Sequence, residues 1–382
     1  MKKYTFLAPC HFGLEAILKR EIYDLGYDID RVDDGRVFFT GDEEAIALSN
    51  INLRTAERVL LVTGIFKAFT YEDFFQGMKN IEWENYLPKE AKFWVKKASS
   101  IKSKLYSSTD LQSVGKKAIV ERLKNIYHVE HFKEDGNEYP IRIFIYKDEV
   151  VVSLDTTGDS LHKRGYRTET GKAPISETLA AALIKLTPWH KDRILVDPMC
   201  GSGTFVIEAA MMAANIAPGL NRHFISEKWE NLIKKSVWKD IRDEAGENIN
   251  IDIETDIQGY DIDSFVIKVA RENAKRAGVD NLIHFQKRDV KDLHHPKKYG
   301  FIITNPPYGE RLEEKKDLPI LYKTLGESYK NLDSWSMYII TSYEEAEKYI
   351  GIKATKNRKI YNGMIKTYFY QFIGPKPKKK KI

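Results

Sequence analysis

Apolar positions along this chain recur with two different periods, and the order of those periods predicts the architecture. Leu14, Ile17, Leu18, Ile22 and Leu25 follow helical spacing over 13–25 and stop at Gly26, after a strand at 4–8. A strand at 37–39, a helix at 43–53 and a strand at 59–62 complete a small α/β unit. Then come a strand at 93–95 and a helix at 111–123. Apolar runs at 141–146 and 150–154 flank Lys147-Asp148-Glu149 as a hairpin. A polar, glycine-bearing stretch over 155–172 breaks the pattern and marks a domain boundary. Beyond it, helices at 174–186, 204–214 and 264–277 alternate with strands at 194–196, 257–260, 284–285, 301–303 and 337–340, as a doubly wound sheet requires. The end is different. Asn362-Gly363 separates β-rich runs at 359–361 and 364–372, which predicts a closing antiparallel strand.

Composition narrows the class. The chain has 382 residues, 42% hydrophobic and 30% charged, ordinary values for a globular protein of two or three domains. No apolar run is long enough for a membrane helix, and the start is too short in apolar residues for a secretory signal. Cys10 and Cys200 lie far apart and form no metal or redox spacing, so a reducing cytoplasm is expected. The histidines show no metal-binding pattern, and His294-His295 reads as a solvated loop. The net charge of +6 is mild, but residues 91–130 hold nine Lys/Arg against three acids. Such local density suits a polyanion, with Lys102, Lys104, Lys116 and Lys117 as candidate phosphate contacts. The lysine-rich end, 375–382, adds nonspecific phosphate attraction or solubility.

The chemistry is carried by strand ends. Asn305-Pro306-Pro307-Tyr308 follows the buried run 301–303, and ligands of open α/β sheets bind outside such ends. The Asn305 side-chain carbonyl and the Pro306 carbonyl can accept hydrogen bonds from an exocyclic amine, and Tyr308 can stack on its base. Proline cannot donate, so the paired prolines leave carbonyls without competing N–H groups. Upstream, Asp197-Pro198-Met199-Cys200-Gly201-Ser202-Gly203-Thr204 joins a strand to a helix through a glycine turn able to approach a ligand closely. A dinucleotide fingerprint would need Gly or Ala where Val206 stands, and a phosphate-binding loop would need a lysine that the turn lacks. Asp261 ends the next strand and can chelate two ribose hydroxyls; Asp289 ends the one after and can accept from an adenine amine. Asp261 lies 58 residues beyond Gly203, against about 20 in a compact unit, so 216–255 is read as an insertion. Trp229 and Trp238 within it suggest an amphipathic helix packing on the same domain.

These motifs, with LDTTGDSLHKRGYR and APISETLAAALI before them, resemble the class I S-adenosylmethionine-dependent RNA guanine-N2 methyltransferases that carry a THUMP domain, above all the ribosomal large-subunit type. The resemblance covers nearly the whole chain. It implies an α/β fold: a Rossmann-like, mostly parallel sheet with a closing hairpin, preceded by an α+β ferredoxin-like and THUMP region that grips RNA. The expected domains are 1–65 (ferredoxin-like), 66–155 (THUMP), a linker at 156–173, and the methyltransferase domain at 174–382. Carried over, the likeness implies that Gly201, Gly203, Asp261 and Asp289 hold the cofactor and Asn305 to Tyr308 the base. Asp197, Pro198, Ser202, Thr204, Ile262, Val290, Asn305 and Tyr166 complete the expected cofactor set. Arg164, Arg167 and Arg311 join the lysines as expected RNA contacts. Some relatives carry a second, fused methyltransferase domain, and one methylation activity is expected of this chain. Ribosomal RNA is favoured over transfer RNA as partner. A DNA amino-methyltransferase would need a DNA-specificity region in place of the THUMP-like one, and a non-catalytic assembly factor would not need Asn305 and Asp261.

Overall fold

The structure, a computed structural model, describes residues 2–167, 175–309 and 312–377. In chain order the first elements are β1 (Tyr4–Pro9), α1 (Glu15–Asp24), β2 (Asp28–Asp33), β3 (Arg36–Gly41), α2 (Glu44–Asn52), β4 (Leu60–Lys67), α3 (Tyr71–Asn80), β5 (Lys92–Ile101), α4 (Ser108–Tyr127), β6 (Glu138–Tyr146) and β7 (Glu149–Asp155). There follow α5 (Glu177–Leu186), β8 (Leu195–Asp197), α6 (Thr204–Ala213), α7 (Lys235–Glu247), β9 (Ile257–Asp261), α8 (Ser264–Arg276), β10 (Ile283–Lys287) and β11 (Phe301–Thr304). The last are α9 (Leu312–Lys330), β12 (Ser336–Thr341), α10 (Ala346–Ile350), β13 (Lys356–Asn362) and β14 (Ile365–Phe372).

The chain divides into two compact units that exchange segments. One holds Met1–Cys10, Lys19–Leu161 and Arg222–Glu244; the other holds His11–Leu18, His162–Asn221 and Ala245–Ile382. The first is built on one seven-stranded sheet, β2-β3-β1-β4-β7-β6-β5, antiparallel except for the β5–β6 pair. Strand β4 pairs with β1 and β7, so this sheet runs without a break through the boundary expected at 65/66. Residues expected to begin the linker are packed instead. Thr156 and Thr157 are fully buried: Thr157 Oγ1 donates to Asn50 Oδ1 at 2.7 Å, and Arg58 donates to Gly158 O at 2.6 Å.

The insertion departs from expectation. Much of it folds with the N-terminal unit, not on the sheet whose sequence it interrupts. Trp229, fully buried and outside any helix longer than one turn, stacks on Tyr139 with ring centroids 4.7 Å apart and donates Nε1–H to Glu138 O at 2.9 Å. Asn231 accepts from the Tyr139 hydroxyl at 2.7 Å, and Ser226 donates to Thr156 O at 2.6 Å. Only Trp238 lies on a helix, α7, where it stacks on Phe224. Tyr139, near the start of β6, is the aromatic residue on which the segment packs.

The second unit has the sheet order β10-β9-β8-β11-β12-β14-β13, parallel from β10 to β12 and closed by the antiparallel β13–β14 hairpin. Alternate residues feed opposite cores. Leu195, Ile303 and Tyr338 pack on one side; Val196, Ile302 and Met337 pack on the other. Burial on both faces explains why these strands are continuous apolar runs. Among the described residues, no helix is long and apolar enough to cross a membrane.

Candidate active site

Strand β8 pairs with β9 on one side and β11 on the other, so the strand order reverses there and opens a crevice at the C-terminal ends. The turn leaving β8 is fixed by Cys200 N–H donating to Tyr260 O and Gly203 N–H donating to Cys200 O, both at 2.8 Å. Gly201 (φ +51°) and Gly203 (φ +88°) are both left-handed, which favours glycine. Their needs differ. A Cβ on Gly203 would press against Ile207 Cδ1 at 3.2 Å and Ala270 Cβ at 3.3 Å, whereas one on Gly201 would meet nothing within 4 Å. Gly201 therefore borders open space. Gly203 caps α6 without any side-chain hydrogen bond, which leaves the leading N–H groups of that helix for a ligand, preferably an anionic one. Buried Asn273 donates to Ser202 O at 3.0 Å and steadies the turn.

Three carboxylates stand around it in different electrostatic states. Asp197 ends β8, and burial pushes its carboxyl up to about 7, against the pull of the Thr304 hydroxyl and the Met199 N–H. Asp261 accepts Gly201 N–H at 3.1 Å and Asp263 N–H at 3.0 Å. Burial raises it too, the charge of Asp263 adding to the rise while these amides oppose it. Asp289 is held below the usual range, first by the Lys291 N–H at 3.1 Å. Ile262, 64% exposed, offers an apolar face beside Asp261. Val290 instead turns its side chain into the core with Tyr260 and Ile302, so that side chain offers a ligand little surface. Pro198 and Thr204 are buried within the turn and the start of α6.

Across the reversal, Asn305 follows the last residue of β11. The Tyr308 hydroxyl donates to Asn305 Oδ1 at 2.5 Å. Tyr322, fully buried on α9, donates to Pro307 O at 3.4 Å and lies 2.6 Å from Thr341 Oγ1 on β12. The two prolines are thus backed by a tyrosine that the sequence motif does not contain.

The expected RNA contacts need correction. Arg164 is buried and pairs with fully buried Glu208 at 3.3 Å, so it cannot reach a nucleic acid. Tyr166, expected beside the cofactor, is buried as well and donates to the same carboxylate at 3.2 Å. Arg167 donates to Thr204 Oγ1 at 2.5 Å and pairs with Glu177 at 3.4 Å; it braces the start of α6. The readable signal was Glu177 and Glu208, lone acids in mostly apolar helices. Lys116 pairs with Glu134 at 2.5 Å and covers the Phe93 ring, while Lys102, Lys104 and Lys117 are exposed. Arg311 lies outside the described residues.

Residues 164–371 match the RMKL-like methyltransferase domain, 5–60 the RlmL ferredoxin-like domain, and 68–155 the THUMP domain. The chain is 47% identical to "Putative RNA methyltransferase YpsC" of Bacillus subtilis, across 100% of this chain and 99% of that one. It is 32% identical to "Ribosomal RNA large subunit methyltransferase K/L" of Cellvibrio japonicus over 97% of its own length, but spans only 51% of that protein. Among solved structures, it resembles "a possible methylase from Clostridium difficile 630" (TM-score 0.96, 54% identity, 99% of this chain and 100% of that one). It also resembles "SMU.472, a putative methyltransferase complexed with SAH" (TM-score 0.92, 44% identity, 99% and 100%). A third is "a predicted N6-adenine-specific DNA methylase from Listeria monocytogenes" (TM-score 0.93, 47% identity, 98% and 97%).

Proposed function

The chain belongs to the RMKL-like methyltransferase family, and from that membership we propose that it methylates the exocyclic N2 amine of a guanine in large-subunit ribosomal RNA. The observation that carries this reading is the placement of Asn305 to Tyr308 directly after β11, next to the strand that bears the glycine turn. When bound, S-adenosylmethionine supplies an electrophilic methyl carbon attached to a sulfonium. The residues present fit it. The uncapped start of α6 suits its carboxylate, Asp261 its ribose hydroxyls, Asp289 its adenine amine, and exposed Ile262 the face of its purine.

The nitrogen of a guanine N2 amine is a poor nucleophile because its lone pair is delocalised into the ring. Asn305 Oδ1 and Pro306 O would accept its two N–H groups and turn the lone pair out of conjugation. For this, the Tyr308 hydroxyl must release Asn305 as its ring swings to stack on the base. Held at Asn305 and Pro306, the amine nitrogen would face the methyl carbon that the cofactor would supply, and its proton would pass to solvent. Positioning and fixed dipoles carry the rate.

RNA is favoured over DNA by the THUMP match, and ribosomal over transfer RNA by the large-subunit relative. The site of action is then the cytoplasm. On the N-terminal unit, exposed Lys102 and Lys104 would meet phosphates. There Lys104 sits over the Phe69 ring, and its N–H donates to Asp148 Oδ1 on the β6–β7 turn, so three loops converge. The test is incubation of the protein with methyl-labelled cofactor and, separately, 23S transcripts, transfer RNA and DNA, followed by nucleoside analysis. N2-methylguanosine from the 23S transcript is expected; label in adenine, in DNA or only in transfer RNA overturns the reading.

A further inference from the structure

The closing hairpin does more than end the sheet. Strand β12 stops at Thr341, opposite Tyr368 of β14, but β14 and β13 stay paired to Asn362↔Ile365. The turn at Met364 is four residues beyond Tyr368, so the hairpin overhangs the C-terminal edge of the sheet by about 13 Å. Asn305 leaves that same edge, since Thr304 of β11 pairs with Ile339 of β12. Only β12 stands between β11 and β14, which puts the hairpin about 10 Å to the side of the candidate base site.

The overhang is stiff, basic and tipped by an apolar side chain. Arg358 donates to Gly13 O at 3.0 Å, and His11 Nδ1 donates to Tyr361 O at 3.2 Å, so the exchanged segment His11–Leu18 props it. Lys366 lies in the overhang and Lys359 at its base, level with Thr341; both are exposed, and Lys366 pairs with Glu344 at 3.8 Å. Gly363 turns the chain at φ +60°, and Met364 beside it is 97% exposed. Lysines on β13 would be explained by the need to guard an edge strand against pairing. An edge guard does not account for an apolar side chain held out in water at the tip.

We infer that this hairpin is a nucleic-acid finger, with Met364 as a wedge that fills the gap left when the target base is drawn out of a folded RNA. The inference rests on the proposed action on a base in RNA. A stacked base must leave its neighbours to enter a crevice of this kind, and apolar side chains between base steps hold such gaps open. Lys359 and Lys366 would meet the flanking phosphates, opposite in charge to them.

The test compares wild type, Met364→Ala and Met364→Leu on a folded 23S transcript and on the same RNA cut into short single strands. Methyl transfer and cofactor affinity are both measured. Met364→Ala should lose at least tenfold in transfer to folded RNA and less than twofold on the fragments, with unchanged calorimetric affinity for the cofactor. Met364→Leu should restore transfer. Lys359→Gln with Lys366→Gln should flatten the salt dependence of binding by a log–log slope of about 1–2. Equal transfer by wild type and Met364→Ala on folded RNA overturns the wedge while leaving the methyltransferase reading intact, as does an equal loss on both substrates. If wild type labels no RNA, the functional reading fails and takes this inference with it.

Discussion

The methyltransferase unit and the N-terminal unit handle sequence in opposite ways. In the former, chemistry sits in short contiguous runs at strand ends, because a parallel sheet delivers each strand's C-terminal residues to one edge. In the latter, surface character is assembled from distant residues. The basic window at 91–130 shows the effect: Lys92 pairs with Glu138, Lys116 with Glu134 and Arg122 with Glu84, all acids from outside the window. A local count of charge is therefore a poor guide to the field of an antiparallel sheet, while a local motif is a good guide to a doubly wound one.

Mutations can break this contrast or sharpen it. The largest effect is expected at the captured insertion, where Trp229→Ala should cost about 3–5 kcal/mol, read as a lower denaturant midpoint for the N-terminal unit. An unchanged midpoint would mean the stacked indole adds little. Next is Asp197, whose folded pKa near 7 lies above its ordinary 3.8. The folded state holds the extra proton between those values, so stability is full below about pH 4 and falls as pH rises to 7. Asp197→Asn should abolish that fall, which amounts to at most about 4 kcal/mol, in melts run from pH 4 to 8.

The site itself gives smaller shifts. Asn305→Ala should lower turnover on the order of 10²-fold, about 2.7 kcal/mol, with cofactor affinity intact by calorimetry. Wild-type turnover would move the base elsewhere. Asp261→Ala should cost roughly 1.5–3 kcal/mol in cofactor affinity, the worth of charged hydrogen bonds. The smallest change sharpens the contrast most. Replacing Lys102, Lys104 and Lys117 by Gln should flatten the salt dependence of RNA binding by about 0.7 for each lysine that meets a phosphate, whereas Lys116→Gln should leave the slope alone.

Most of the second unit was legible, because strands buried on both faces are bare apolar runs and Asn362-Gly363 names its own turn. What escaped did so for physical reasons. Strand β2 reads Asp-Ile-Asp-Arg-Val-Asp; it is a half-exposed edge strand held by β3, and nothing in its composition resembles a core strand. Helix α3 opens with a capping box, Thr70 with Asp73, that was present to be read. Arg164 and Arg167 misled because a short basic motif looks the same whether it meets phosphate or a buried acid. Only their partners Glu177 and Glu208, each the one acid on a helix that is mostly apolar, tell the two cases apart.

The segment exchange sets a timetable for synthesis. Tyr139 leaves the ribosome long before Trp229, and at 5–20 residues per second the wait is ~4.5–18 s. During that time Tyr139 lacks the indole that stacks on it in the finished protein. A chain released after Leu161 would leave Tyr139 without Trp229 and without Asn231, the acceptor of its hydroxyl. The protein's N-terminal half becomes presentable only once the ribosome has passed well into its catalytic half.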